Sequence, residues 1–200
     1  MASNKIPWNK LWPTLWNMIP DPLSDGRLLL VLDDFINPKT GKNIFGCSHI
    51  FDHAAKANQS KYPWAQNVVL VGLLKRIKGR WACLPLAHRF YLPKKAILAK
   101  LDNMKIPGKD SSFQTKLEQA AKMVIKLAQH FVGANVTVVC DSWFGNNGLF
   151  KSVYITGVND RDGETYGKIQ VVKEWEEKSP TFFLNNQDHV TVAAVKIRHN

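Results

Sequence analysis

Apolar residues along the chain follow two different periods. An unbroken apolar run covers residues 28–32, and a second apolar segment, interrupted only by Thr137, covers residues 136–140. Such largely apolar segments are typical of strands that are buried on both faces of a sheet. Between them, residues 112–132 place apolar side chains at three- and four-residue steps, which predicts an amphipathic helix. Strands on both sides of a helix favour an α/β fold with a sheet at its centre.

Further elements are expected around this framework. The turn composition of residues 37–42 predicts that the first strand pairs with a strand over 44–54 as a hairpin. A basic turn, Lys78-Gly79-Arg80, separates two more strands, over 68–77 and 81–92. The helix is expected to begin at a cap on Ser111 or Ser112 and to stop at Gly133. Shorter elements are expected as a helix over 144–152 and as strands over 153–158, 169–172 and 190–197.

The first segment has a composition of its own. Trp8, Trp12 and Trp16 lie at helical spacing, but several prolines interrupt them, so only short helical turns are expected. We expect these rings to pack on the domain that follows. The expected division is therefore an aromatic and proline-rich lead-in over 1–25, the core over 26–158, and a β-rich insertion or the start of a second subdomain over 159–200.

Charge is distributed unevenly. The formal net charge is +11, and residues 1–110 hold 17 Lys and Arg against 7 Asp and Glu, whereas residues 111–200 hold 10 against 9. A basic half of this kind is typical of a surface that binds a polyanion, most often nucleic acid. Composition alone leaves open a soluble protein with a high isoelectric point and no such partner.

The lengths of the apolar runs and the positions of the cysteines bear on the cellular location of the protein. No run of about 18 apolar residues is present, so a membrane span is not expected. Cys47, Cys83 and Cys140 are scattered and form no Cys-x-x-Cys pair, which argues against a disulfide framework or a zinc ribbon. A reduced, cytoplasmic setting is expected.

An aspartate follows each of the two apolar segments: Asp33 follows residues 28–32, and Asp141 follows residues 136–140. Strand ends are where functional sites collect in α/β sheets. Asp34 directly follows Asp33, and neighbouring side chains of a strand point to opposite faces, so only one of the two can face a shared site. The other, taken as Asp34, is expected to cap, pair or face solvent beside that site.

Two carboxylates from neighbouring strands would make an oxygen-rich site suited to Mg²⁺ or Mn²⁺. Such ions support in-line displacement at a phosphodiester. An apolar strand followed by aspartate is a common pattern, however, and spacing alone leaves open that Asp33 and Asp141 only cap loops.

Four segments resemble a known family when they are taken together. Residues 30–46 read Leu-Val-Leu-Asp-Asp-Phe-Ile-Asn-Pro-Lys-Thr-Gly-Lys-Asn-Ile-Phe-Gly, and residues 138–146 read Val-Val-Cys-Asp-Ser-Trp-Phe-Gly-Asn. Between them lie His-x-x-Asp-His-Ala-Ala-Lys at 49–56 and Trp-x-Gln-Asn at 64–67. Over roughly residues 25–158 the chain resembles the DDE transposases of bacterial insertion sequences, in the subgroup with an Asp-Asp-Thr motif.

The resemblance implies an RNase H-like fold, in which helices flank a mixed sheet and the acids lie on strands one and four and on a later helix. By position in the motifs, the first catalytic and metal-binding aspartate maps to Asp33 and the second to Asp141. Mg²⁺ or Mn²⁺ is the implied cofactor. The complete family enzyme uses metal-activated water to nick DNA at transposon ends, and then joins the freed 3′ hydroxyl to a target.

The chain departs from the family pattern at two points. Phe35 stands where the family has threonine after the aspartate pair. The third acid, which the family places in a Tyr-x-x-Arg-x-x-x-Glu pattern after a β-rich insertion, has no matching position. Residues 26–158 are therefore expected to be a partial catalytic core, truncated before that glutamate. The glutamates of the insertion-like tail are Glu164, Glu174, Glu176 and Glu177.

The resemblance also implies partners and a location. DNA is the implied partner, as transposon ends and as target, with a homodimer in the active complex and a location in the bacterial cytoplasm at the nucleoid. Two alternatives stay open: a DNA-binding relic without catalysis, and a metal-dependent nuclease that does not join strands. The surface lysines among the candidate DNA contacts could equally bind nothing specific. Those candidates are Lys39, Lys42, Lys56, Lys61 and Asn146.

Overall fold

The structure is a computed structural model. It describes residues 8–24, 26–105, 112–141, 143–144 and 148–149, with side chains from residue 10 onward, and the backbone of 169–172 and 193–197. The helices are Trp8–Asn17 (α1), Lys94–Leu98 (α2) and Lys116–His130 (α3), with a 3-10 turn at Asp102–Met104. The strands are Arg27–Pro38 (β1), Ser48–His49 (β2), Trp64–Ile77 (β3), Arg80–Tyr91 (β4), Asn135–Cys140 (β5), Ile169–Val172 (β6) and Ala193–Ile197 (β7).

These strands form one mixed sheet. β1 lies antiparallel to β3 on one side and parallel to β5 on the other. β4 and the short β2 pair with the far edge of β3, while β7 pairs antiparallel with β5 and β6 with β7. With α3 packed against it, this sheet is the α/β, RNase H-like arrangement that the resemblance implies.

The core lies between the sheet and α3. Alternate residues of β1, Leu28, Leu30 and Leu32, are at most 1% exposed and belong to one apolar cluster with Val124 and Leu127 of α3. Alternation along a strand places the intervening β1 residues on the opposite face of the sheet. The cluster therefore fixes which face each residue of β1 presents.

The amphipathic helix is confirmed, but its predicted cap is wrong. α3 begins at Lys116, and Thr115 is its cap: the Thr115 hydroxyl accepts the Glu118 N–H at 3.2 Å, and a Glu118 carboxylate oxygen accepts the Thr115 N–H at 2.7 Å. This reciprocal capping box satisfies two backbone donors at the helix start, which a cap on Ser111 or Ser112 would leave unpaired.

The hairpin predicted across residues 37–42 is also wrong. β1 pairs with β3, from Leu30 opposite Leu73 to Pro38 opposite Ala65, so the two strands are joined by residues 39–63. Within that connection only the two residues of β2 form a strand.

Local contacts explain why the predicted strand over 44–54 does not form. The Gln66 amide donates to the Phe45 carbonyl at 2.7 Å, and the Asn103 amide donates to the Cys47 carbonyl at 2.6 Å. Side chains thus satisfy backbone groups that a strand ladder would otherwise use.

The other predicted hairpin is confirmed. β3 and β4 pair from Asn67 opposite Tyr91 to Ile77 opposite Arg80. Lys78 and Gly79 form the turn with φ of 49° and 76°. A two-residue turn with positive φ at both positions is the kind that matches the twist of paired strands.

The lead-in forms more helix than its prolines predict. α1 runs for ten residues with Pro13 inside it. Trp16 is 3% exposed, and its indole N–H donates to the Leu86 carbonyl at 2.8 Å, so the predicted packing on the domain is confirmed for this ring. Burial of one helix face stabilises short helices more than intrinsic propensity does, which explains how α1 accommodates the proline.

The remaining predicted elements lie towards the C-terminal end of the chain. β5 is confirmed, and β6 and β7 fall within the strands expected over 169–172 and 190–197. Of the helix expected over 144–152, the structure describes Phe144, which lies in a turn, and Gly148 and Leu149, which are helical. The strand expected over 153–158 lies outside the described residues. No described helix is both long and apolar enough to cross a membrane.

Candidate active site

The pairing of β1 with β5 brings two predicted site residues together. The parallel pairs run from Arg27 opposite Asn135 to Leu32 opposite Cys140. Asp33 is the next residue of β1, which continues to Pro38 and so does not end at the aspartate as expected, whereas Asp141 directly follows the end of β5. Neighbouring strands lie about 4.8 Å apart, and side chains at paired positions share a face. Leu32 and Cys140 are buried, so both aspartates project from the other face of the sheet, where each is exposed.

Asp33 lies in an environment that disfavours its charge. Desolvation raises the pKa of its carboxyl above the usual value, and the negative charges of Asp141 and Asp34 raise it further. The Asp34 backbone N–H, which donates to Asp33 Oδ1 at 2.8 Å, and the charge of Lys116 oppose this rise in pKa. A bound cation would relieve the same repulsion.

Asp141 is held by the turn that follows β5. Its Oδ1 accepts the backbone N–H of Phe144 at 3.0 Å, and the Phe144 ring is fully buried in the core. An aspartate that bonds to a backbone N–H three residues ahead closes its own turn. The buried ring thus anchors the carboxylate at the end of the strand.

Asp34 faces the opposite side, towards α3. Its Oδ2 accepts from Lys116 Nζ at 2.7 Å and from the Asn67 side-chain amide at 2.9 Å. The Asp34 and Lys116 side chains are each 20% exposed. The prediction that the two adjacent aspartates point to opposite faces of the sheet is confirmed, and of the three fates expected for the second aspartate, Asp34 forms an ion pair.

Lys116 is the residue that the sequence analysis missed. Besides its ion pair with Asp34, Nζ lies 5.2 Å from the centre of the Trp143 ring and 5.5 Å from that of Tyr91. A lysine in the first turn of a helix opposes the helix dipole, which favours anions there. That unfavourable placement was the available signal that Lys116 has a partner, although it does not identify Asp34.

The donor set fits a hard divalent cation in part. Two adjacent carboxylates supply the oxygen ligands that Mg²⁺ and Mn²⁺ prefer. Within the described residues, no three His, Cys, Asp or Glu side chains are grouped so that they could hold a metal ion. Glu164, Glu174, Glu176 and Glu177 lie outside the described residues. The metal-binding role of Asp33 and Asp141 stays a prediction.

Most of the predicted DNA contacts lie on the connection that follows β1. Lys39 follows the strand directly, and its backbone N–H donates to the Trp64 carbonyl at 2.9 Å. Lys42, Lys56 and Lys61 are exposed on the connection from β1 to β3. The fifth candidate, Asn146, lies outside the described residues.

Comparison of the chain with known families gives one match. The family model described as DDE superfamily endonuclease matches residues 2–162. The chain belongs to this family. The match therefore spans both aspartates and supports an endonuclease or transposase type of function, with DNA as substrate; such enzymes generally use divalent metal ions. Searches of curated proteins and of solved structures found no match.

Proposed function

We propose that this DDE endonuclease domain cleaves DNA phosphodiesters in a metal-dependent reaction, and that it joins the freed 3′ end to target DNA as a transposase does. The observation that carries the proposal is the pairing of β1 with β5, which places Asp33 and Asp141 side by side on one face. Family membership over residues 2–162 supplies the class of reaction.

Asp33 and Asp141 are the residues that would hold the cation. When bound, Mg²⁺ or Mn²⁺ activates the attacking oxygen and stabilises the leaving oxygen of an in-line displacement at phosphorus. The protein orients the two ligands, through the Asp34 N–H on Asp33 and the Phe144 N–H on Asp141. Asp34 is not among the ligands, since Lys116 and Asn67 occupy its Oδ2 on the other face.

DNA is the substrate that the charge distribution supports. β1, which carries Asp33 in its middle, leads after Pro38 into the connection that carries Lys42, Lys56 and Lys61, all of them exposed. Lysines of this kind bind phosphates without reading sequence, so they position the backbone near the carboxylates.

The finer parts of the proposal rest on the motif resemblance. They are an origin in a bacterial insertion sequence of the Asp-Asp-Thr-like subgroup, transposon ends and a target as DNA partners, a homodimer in the active complex, and a location at the nucleoid in the cytoplasm. Phe35, which replaces the motif threonine, is 48% exposed beside Asp33, so its larger ring lies at the surface and causes no packing conflict in the core.

The test separates metal binding from cleavage. Mn²⁺ binding is measured by calorimetry, and nicking of supercoiled plasmid is followed with and without Mn²⁺, for the parent, Asp33→Asn and Asp141→Asn. We expect each substitution to weaken Mn²⁺ binding by at least about tenfold, a loss seen even when a group beside the ligands is removed. Metal-dependent nicking is expected to disappear in both variants.

Asp102→Asn is the matched control, because Asp102 is 96% exposed and its ion pair with Lys105 is remote in sequence from both strands. Unchanged Mn²⁺ affinity in Asp33→Asn and Asp141→Asn would overturn the assignment. Mn²⁺ binding and DNA binding without nicking would favour the non-catalytic relic. Nicking without joined products, when 3′-ended donor DNA is supplied, would favour a nuclease that does not transfer strands.

A further inference from the structure

A cavity of about 440 Å³ opens between α1, β4 and the middle of α3. None of the residues that line it belongs to β1, which carries Asp33, or to β5, which Asp141 follows. Its volume falls in the range of small-molecule sites, about 300–1,000 Å³. The cavity is therefore separate from the candidate active site.

Aromatic rings line one side of this cavity in a continuous row. His88 lies between Trp12 and Phe90, with ring centres 5.5 and 5.6 Å apart, and Phe45 extends the row beyond Phe90 at 5.7 Å. Burial lowers the pKa of His88, which favours the neutral ring at neutral pH. Successive rings are nearly perpendicular, with interplanar angles of 79–81°, so a base would stack on a single ring of the row. Stacking of bases on aromatic side chains depends little on sequence.

Charge on the cavity is of one sign. Lys122 and Lys126 lie one turn apart on α3, both exposed, and Arg89 joins them from β4. No aspartate or glutamate is among the residues that line the cavity. Cations without opposing carboxylates favour an anionic ligand, and a phosphate is the anion that lysine and arginine bind together in DNA complexes.

Two buried amide oxygens point to a ligand with N–H donors. Gln119 is 7% exposed, and its amide nitrogen donates to the Phe90 carbonyl at 3.2 Å, which fixes the orientation of the amide. Its Oε1 is buried and has no partner among the described residues, and neither has Oε1 of Gln114. Both glutamines line the cavity. Buried acceptors are normally paired, so a donor that enters the cavity would satisfy them.

We propose that this cavity binds one unpaired nucleotide of single-stranded DNA. The base packs against the row of Trp12, His88 and Phe90 and donates its N–H groups to Gln119 and Gln114, while the phosphate contacts Lys122 and Lys126. Every DNA nucleotide combines a flat aromatic base, at least one N–H donor and a phosphate. The rings, the amide oxygens and the cations of the cavity are complementary to these three groups.

This inference rests on the proposed function, because it takes DNA as the molecule that supplies the nucleotide. It adds that part of the bound DNA is single-stranded. α3 extends from the Asp34 side of β1 to the cavity: Lys116 at its first residue pairs with Asp34, and Lys122 follows about 9 Å along the helix at 1.5 Å per residue.

The test uses fluorescence anisotropy in EDTA, where a metal-dependent reaction does not proceed. The probes are a labelled single-stranded 8-mer of mixed sequence and an 8-mer with the same phosphates but abasic sites throughout. We expect the parent to prefer the base-containing probe by at least about fivefold, the lower end of the stacking contribution per base. Gln119→Met is expected to reduce that preference without weakening binding of the abasic probe.

The phosphate contacts have a matched pair of variants. Lys122→Glu/Lys126→Glu is expected to weaken binding of both probes by more than tenfold. Lys94→Glu/Lys95→Glu, which makes the same charge change on the exposed α2, is expected to weaken it by less than threefold. Equal losses in the two double variants, or equal affinity of the parent for the two probes, would overturn the proposal.

The test of the cavity can succeed or fail independently of the test of the proposed active site. If the Asp33 and Asp141 variants nick plasmid like the parent while the base preference holds, the proposed active site fails and the nucleotide cavity stands. If nicking disappears in those variants but the 8-mers are bound alike, the reverse conclusion follows.

Discussion

Asp33 and Asp34 are neighbours in β1 with the same carboxylate, yet the two faces of the sheet give them different environments. Asp34 meets a lysine and an amide on the side covered by α3, and its charge is matched. Asp33 meets a second carboxylate on the other side, and its pKa is raised by desolvation and by that charge. One face uses an aspartate to stabilise the fold, and the other keeps two unmatched carboxylates together. A functional site is the usual reason to maintain such repulsion.

The largest stability effect is expected on the Asp34 face. Asp34→Ala leaves the half-buried Lys116 ammonium and the Asn67 amide without their acceptor, which we expect to lower the free energy of unfolding by about 2 kcal/mol. Urea denaturation checks this value.

The control for this substitution is Asp102→Ala, which removes an exposed ion pair with Lys105 and is expected to change the free energy of unfolding much less than Asp34→Ala does. Equal losses in the two variants would contradict the view that the Asp34 face is the structural one. Mn²⁺ affinity is expected to change less in Asp34→Ala than in Asp33→Asn.

A smaller loss is expected at the start of α3. Thr115→Ala removes one half of the capping box and is expected to cost about 1 kcal/mol. Because Lys116 follows the cap, fraying there loosens its contact with Asp34, so hydrogen exchange at the first turn of α3 should accelerate. Thr14→Ala, where an exposed hydroxyl donates to the Lys10 carbonyl within α1, provides a comparison with little expected loss. Unchanged exchange in Thr115→Ala would show that tertiary contacts alone hold the helix start.

The smallest effect is expected on the Asp33 face, and its sign is opposite. The folded-state pKa of Asp33 is raised, so its carboxyl favours folding only below the unfolded pKa, and this contribution is lost as pH rises through the folded value. In metal-free buffer at neutral pH, Asp33→Asn should therefore have a slightly higher Tm than the parent. The difference should vanish on acidification. A lower Tm for the variant at neutral pH would contradict the repulsion described for this face.

Added Mn²⁺ should reverse the order of the two proteins. It stabilises only a folded state that binds it, so the Tm of the parent should rise with Mn²⁺ while that of Asp33→Asn stays nearly constant. The same scan for Asp34→Ala sharpens the comparison, because its metal response should be retained on a less stable protein.

Much of the fold was predictable because its signals are local. The apolar runs that became β1 and β5, the period of α3 and the Lys78-Gly79 turn each lie within a few residues of the structure that they specify. The capping box was equally local, since Thr115 stands three residues before Glu118, and the stronger serine signal nearby obscured it.

Strand partners and buried ion pairs were not predictable in the same way. Residues 44–54 have enough apolar side chains for a strand, but side-chain amides from Gln66 and Asn103 satisfy their backbone instead. Lys116 meets Asp34 across 82 positions of sequence. Such contacts depend on how the sheet and helix pack, which no short pattern encodes. The juxtaposition of Asp33 and Asp141 was predictable only because each aspartate directly follows an apolar segment and these two segments pair side by side.

The strand period has a genetic consequence for the acidic pair. Four residues separate Leu28, at the start of the buried row, from Asp33, and exchanging Leu30 for another aliphatic residue would keep that count. An in-frame deletion of one codon in this stretch would instead turn the aspartate towards α3 and present its neighbour to the opposite side. Aliphatic substitutions in the buried row of β1 are thus compatible with the site. A single-codon insertion or deletion would instead exchange the orientations of the two carboxylates in one event.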